Sequence, residues 1–133
     1  FIGKISDFGL ATSNTFTSTA SLTKGSSRPL GSDAYLAPEL LNFNGKPPYS
    51  FASDMYAVGI MINEALTRAP PFSGLLISQI GVQVVLYQKR PDLFKPDQSK
   101  VEEREVSGLL GNRESGLLHQ NPGHRLTALL SLE

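Results

Sequence analysis

The chain has 133 residues, 40% of them hydrophobic and 18% charged, with 12 Lys+Arg balancing 12 Asp+Glu. That apolar content excludes whole-chain disorder, the length predicts one domain, and a net charge of zero offers no field to attract nucleic acid or anionic lipid. The absence of cysteine excludes disulfides, thiolate metal sites and thiol nucleophiles, and no apolar run approaches the roughly 18 residues of a membrane span.

Residues 1–5 alternate apolar with small or polar side chains ahead of Ser6-Asp7-Phe8-Gly9, which predicts a short strand running into a turn. Residues 12–32 are rich in Ser and Thr, with Phe16, Leu22 and Leu30 as their sizeable apolar side chains. A loop this long without periodicity is usually functional or disordered. Residues 35–42 read as a turn and a short helix, Pro38 suiting a first helical position, and Asn44-Gly45-Lys46-Pro47-Pro48 breaks it.

Residues 50–67 carry the strongest helical pattern of the chain. Ser50 or Ser53 can cap it, and Asp54 places a negative charge in the first turn, where the helix dipole favours one. Met55, Tyr56, Val58, Ile60, Met61, Ile62, Ala65 and Leu66 leave little polar face. A helix so apolar is expected to be buried on all sides at the centre of a larger body. Pro70-Pro71 ends it. Residues 73–89 are ambiguous: Leu76, Ile80 and Val84 follow helical spacing, whereas Val82, Val84 and Val85 would suit a strand. Helix is the favoured reading, closed by Arg90-Pro91. Residues 99–105 are charged and helix-prone. Gly108, Gly111 and Gly116 then dilute any helix at a cost of about 1 kcal/mol each relative to Ala, and residues 126–132 read as a last short helix. The sum is a mainly α chain with a short β element at its N-terminus.

Asp7-Phe8-Gly9 sets a carboxylate at a strand end before a flexible glycine, an arrangement that can hold Mg²⁺ against nucleotide phosphates because Mg²⁺ prefers hard oxygen ligands. Alone, the tripeptide is an ordinary polar turn. It stands within Lys4-Ile5-Ser6-Asp7-Phe8-Gly9-Leu10-Ala11, and further pieces follow in order: Ala37-Pro38-Glu39, Ser53-Asp54-Met55-Tyr56-Ala57-Val58-Gly59, Pro71-Phe72, Arg90-Pro91, and Pro122 with Arg125. This ordered set resembles the C-terminal lobe of a eukaryotic protein kinase catalytic domain across residues 1–133. Arg90-Pro91-Asp92-Leu93 is similar to the tyrosine-kinase and tyrosine-kinase-like branches, and Gly31-Ser32-x-x-Tyr35 favours the tyrosine-kinase-like Ser/Thr branch.

The resemblance implies roles for named residues. Asp7 would hold the Mg²⁺ that bridges ATP phosphates, with Phe8 and Gly9 completing the cofactor-side motif. Residues 7–39 would be the activation segment, and Thr23, Ser26 and Ser27 are its candidate phosphosites, where an upstream kinase would add charge that basic groups capture. Ser32 would help place the substrate hydroxyl. Glu39 and Arg125 would pair inside the lobe, although residue type alone marks both as exposed surface charges. Asp54 would accept hydrogen bonds from the catalytic-loop backbone. Residues 50–67 would be the buried central helix and residues 73–133 the C-terminal helices.

The 133 residues hold no Gly-rich phosphate loop, no strand Lys paired to a helix Glu and no His-Arg-Asp catalytic loop. The expectation is therefore a partial kinase domain, missing its N-lobe and catalytic loop and inactive by itself, whose complete form uses ATP and Mg²⁺ to phosphorylate protein substrates on Ser or Thr. A Cys-Trp pair common before Asn121 in this branch is absent, and Leu126 stands where Pro often follows Arg125. The alternatives are a noncatalytic kinase-derived binding module and a scaffold controlled by phosphorylation of residues 12–32. Neither a basic-then-apolar leader, membrane insertion nor a nucleic-acid partner is expected, and the expected location is the cytoplasm.

Overall fold

The computed structural model describes residues 2, 4, 6, 8, 32–42, 49–97, 99–103, 105 and 116–125. A short 3-10 turn, Asp33–Tyr35, leads into helix α1 (Pro38–Leu41), followed by α2 (Phe51–Thr67) and α3 (Ile77–Val85). No strand occurs among the described residues. The predicted β element is therefore not found at Ile2 or Lys4, and its other positions lie outside the described residues. The predicted loop at 12–31 and the last helix at 126–132 lie outside them as well.

Each helix starts for a local reason. Pro38 occupies the first turn of α1, where its fixed φ suits the helix and its missing N–H costs nothing. Ser50 caps α2: its Oγ accepts from the Ser53 backbone N–H at 3.2 Å, and Ser53 Oγ accepts from the Ser50 N–H at 3.0 Å. This reciprocal pair satisfies two N–H groups that helix geometry leaves without partners. At the far end Arg68 adopts a left-handed conformation with φ 55° and donates its N–H to Glu64 O at 2.8 Å. α3 opens as Gln79 Oε1 accepts the Leu76 N–H at 3.1 Å.

The core joins Leu36, Ala37 and Leu40 to Tyr56 and Ile60 of α2, Ile80 and Val84 of α3, and Phe72 and Leu118. α2 buries Ala52, Ser53, Tyr56, Gly59, Ile60 and Asn63, a stripe repeating every three or four residues. Its other side is exposed in this chain. Phe51 is 77% and Met61 59% exposed, because the described elements pack against one face of α2 and leave this apolar stripe uncovered. Of the three residues at helical spacing, Leu76 precedes the first turn of α3 and stays exposed, while Ile80 and Val84 are buried.

Two features fix how the later chain meets α2. A Cβ on Gly59 would lie 2.9 Å from Leu117 Cβ and 3.0 Å from Leu118 Cδ2, so the absence of a side chain sets the approach of residues 117 and 118. Asn63, buried in an otherwise apolar helix, donates from Nδ2 to Asp92 O at 3.0 Å and accepts the Phe94 N–H at Oδ1 at 3.0 Å. Both halves of its amide are used, which removes the penalty for burying it and pins residues 92–94 to α2.

Candidate functional site

The segment from Ser32 to Leu41 is held by contacts at both ends. Exposed Ser32 precedes the 3-10 turn, where its carbonyl accepts the Tyr35 N–H at 2.9 Å. The Tyr35 hydroxyl donates to Glu64 Oε2 of α2 at 2.7 Å, and this hydrogen bond to a carboxylate pushes its pKa above the ordinary tyrosine value. Leu36 and Ala37 follow as buried residues, and Glu39 falls in the first turn of α1.

Glu39 meets Arg125 across 86 positions of sequence, with Nη1–Oε1 and Nη2–Oε2 both at 2.8 Å. Arg125 is fully buried. Its remaining N–H groups donate to carbonyls: Nε to His119 O at 2.6 Å, Nη1 to Ala52 O at 3.1 Å and Nη2 to Gln120 O at 3.0 Å. All five donors of the guanidinium are thereby used, the condition under which a buried charge is tolerated. The pairing carries the end of the Ser32–Leu41 segment onto the start of α2 and onto the turn at residues 119–125.

A second guanidinium lies beside the first. Arg90 donates from Nε to Leu118 O at 2.7 Å, from Nη1 to Lys89 O at 2.9 Å and from Nη2 to Gln120 Oε1 at 2.5 Å. Burial pushes its pKa below the ordinary arginine value. Both guanidinium carbons lie over the Tyr56 ring, Arg90 at 5.4 Å and Arg125 at 5.0 Å from its centroid. Burial raises the Tyr56 pKa, and its hydroxyl has no hydrogen-bond partner among the described residues.

The structure thus brings Glu39 and Arg125 together and sets Ser32 at the start of the segment they anchor. Asp54 is exposed in the first turn of α2, and Phe8 is exposed as well. Asp7, Gly9, Thr23, Ser26 and Ser27 lie outside the described residues. Among the described residues no group of three or more His, Asp or Glu side chains could hold a metal ion. Sequence reasoning missed Glu64 and Gln120, and singled out Arg90 only as part of the Arg90-Pro91 motif, without its contacts. Glu64 stands next to Asn63 in an apolar helix, and two adjacent polar residues there are a usable signal, since each needs a partner.

A helical lobe in which an Ala-Pro-Glu helix is tied by its carboxylate to a distant buried arginine is an arrangement of protein phosphotransferases. The chain belongs to the protein kinase domain family, whose model matches residues 3–133. It is 35% identical over 99 residues to serine/threonine-protein kinase A-Raf of Homo sapiens, covering 74% of this chain and 15% of that protein. The same identity and coverage hold for serine/threonine-protein kinase A-Raf of Mus musculus and of Sus scrofa. The chain therefore spans about 15% of the length of these curated relatives. Among the described residues no helix is long and apolar enough to cross a membrane.

Proposed function

We propose that these residues form the substrate-binding part of a Ser/Thr protein kinase, of the tyrosine-kinase-like branch, that transfers the γ-phosphoryl group of ATP to a protein hydroxyl. The observation that carries this reading is the family match over residues 3–133, joined to relatives named as Ser/Thr kinases. The anchored segment supports it. A loop that must present a protein hydroxyl to a phosphoryl donor gains rate from being held in one place, because positioning and electrostatic stabilisation account for most catalysis of this transfer.

In this reading residues 7–39 are the activation segment, and Ser32 helps orient the substrate hydroxyl. Thr23, Ser26 and Ser27 are the candidate sites at which an upstream kinase adds charge. Asp7 supplies the hard carboxylate oxygen suited to Mg²⁺, whose chemistry is to neutralise charge on the ATP phosphates. Phe8 and Gly9 follow it, and Asp54 steadies the neighbouring catalytic-loop backbone. The protein acts in the cytoplasm. The 133 residues alone lack the Lys and the His-Arg-Asp loop that such transfer requires, and they are expected to bind Mg·ATP weakly or not at all by titration calorimetry.

The test is phosphate transfer from labelled ATP to a protein substrate by the full-length gene product, beside Asp7→Asn. Transfer to Ser or Thr that Asp7→Asn abolishes supports the reading. A full-length protein that folds and transfers no phosphate overturns it in favour of a noncatalytic binding module.

A further inference from the structure

The Glu39–Arg125 pair does not stand by itself. Of the three carbonyls that accept from Arg125, two, His119 O and Gln120 O, belong to a turn that Arg90 grips from the other direction. Gln120 is shared: its side-chain Oε1 accepts from Arg90 and its backbone oxygen accepts from Arg125. Tyr56 is shared too, since both guanidinium groups lie over its fully buried ring. A flat cation over an aromatic face is attracted to the ring's negative quadrupole, more strongly where water is excluded. Two cations held this close repel, so each has to be fixed by its own acceptors, and each is.

We infer that Arg90 is a positioning residue that acts through Gln120 and Tyr56 on Arg125, and so sets where Glu39 and the substrate-receiving segment Ser32–Leu41 sit. The mechanical part stands on the contacts alone, and its catalytic consequence rests on the kinase reading. Without Arg90, Leu118 O and Gln120 Oε1 lose their donor and Tyr56 keeps one cation of two. The turn at 119–120 then holds the carbonyls that aim Arg125 less firmly. Arg125 remains paired with Glu39, but the pair is free to shift, and α1 shifts with it. Lysine does not substitute, because one ammonium on a flexible stem cannot present the planar fork that spans Leu118 O and Gln120 Oε1.

The experiment is hydrogen exchange on the full chain, comparing wild type with Arg90→Ala, Arg90→Lys and Gln120→Met. The α1 amides of Leu40, Leu41 and Asn42 bond to Ala37 O and Pro38 O, and the Leu86 amide bonds to Val82 O at the end of α3. Arg90→Ala is expected to speed exchange at residues 40–42 on the order of tenfold while Leu86 exchanges as before. Arg90→Lys gives the same pattern, and Gln120→Met, which keeps both backbone and bulk, gives a smaller one. A purely local role would raise exchange near residues 86–90 and spare α1; a global loss of stability would raise α1, α2 and α3 alike. Either result overturns the inference. In the full-length kinase the same substitutions raise KM for the protein substrate several-fold and leave KM for ATP unchanged. Equal changes in both overturn the catalytic consequence. Loosened α1 in a protein with no wild-type transfer overturns the kinase reading and leaves the coupling standing.

Discussion

Two ion pairs of nearly equal length occupy opposite environments in this chain. Arg125 meets Glu39 at 2.8 Å with the arginine side chain wholly buried, and Lys100 meets Glu103 at 2.9 Å with 63% of the lysine side chain exposed. Distance does not distinguish them; their surroundings do. At the exposed pair water already solvates both charges, so bringing them together changes little. At the buried pair three carbonyls and the Tyr56 ring replace that water around Arg125, and removing Glu39 strands a guanidinium charge that solvent does not reach. The buried pair is therefore a device whose removal is costly, even where its presence adds little over an apolar core.

The strongest way to break this contrast is to remove one buried partner. Glu39→Gln or Arg125→Ala is expected to destabilise the chain by about 3–5 kcal/mol, measured by urea unfolding monitored through circular dichroism. The two substitutions combined should cost less than their sum, because the second removes the charge that the first stranded. Additive losses would show that the pair is not coupled.

The next effect tests what lets the carbonyls reach Arg125. Gly59→Ala gains helix propensity of about 1 kcal/mol, yet its methyl would stand 2.9 Å from Leu117 Cβ, an atom that cannot move without the backbone. Overpacking of this kind costs about 1–3 kcal/mol, so net destabilisation is expected. A more stable Gly59→Ala would mean that residues 117 and 118 yield easily and do not fix the turn. Tyr56→Phe should act in the opposite direction. It keeps the ring beneath both guanidinium groups and removes a buried hydroxyl without a partner, so stability is expected to stay level or rise by about 1 kcal/mol. A loss beyond that would reveal a partner for the hydroxyl and weaken the account of the ring as the element that matters.

Legibility follows the range of each interaction. The Ser50 cap, Pro38 at the start of α1 and the helical spacing of Ile80 and Val84 are set by neighbours within about four positions, so they can be read from sequence. The uncovered face of α2 was not legible, because Met61 and Ile60 are equally apolar and only packing says which one meets a partner. Arg90 with Gln120 and Tyr35 with Glu64 lie 30 and 29 positions apart, and no local pattern pairs them. The pairing of Glu39 with Arg125 came to hand only through resemblance to a family. Hydropathy places both residues on the surface, and burial with five satisfied donors is a property of the fold.

The exposed pair supplies the smallest effect and the sharpest control. The hydrogen bond from Lys100, followed by that from the Asp97 backbone N–H, holds the Glu103 carboxyl below the usual range. A group whose folded pKa is depressed adds stability above its unfolded value and loses it as pH falls through the folded value, so this contribution is present at neutral pH and fades on acidification below about 4. Because both groups face solvent, Lys100→Met is expected to leave the melting temperature within measurement error at neutral pH and moderate salt. At low ionic strength, where screening is weaker, a slight difference from wild type should appear at neutral pH and vanish in acid. Glu39→Gln keeps most of its cost at high salt, since counterions do not reach a buried guanidinium. Equal salt sensitivity of the two substitutions would mean that water reaches Arg125, and the contrast between the two pairs would collapse.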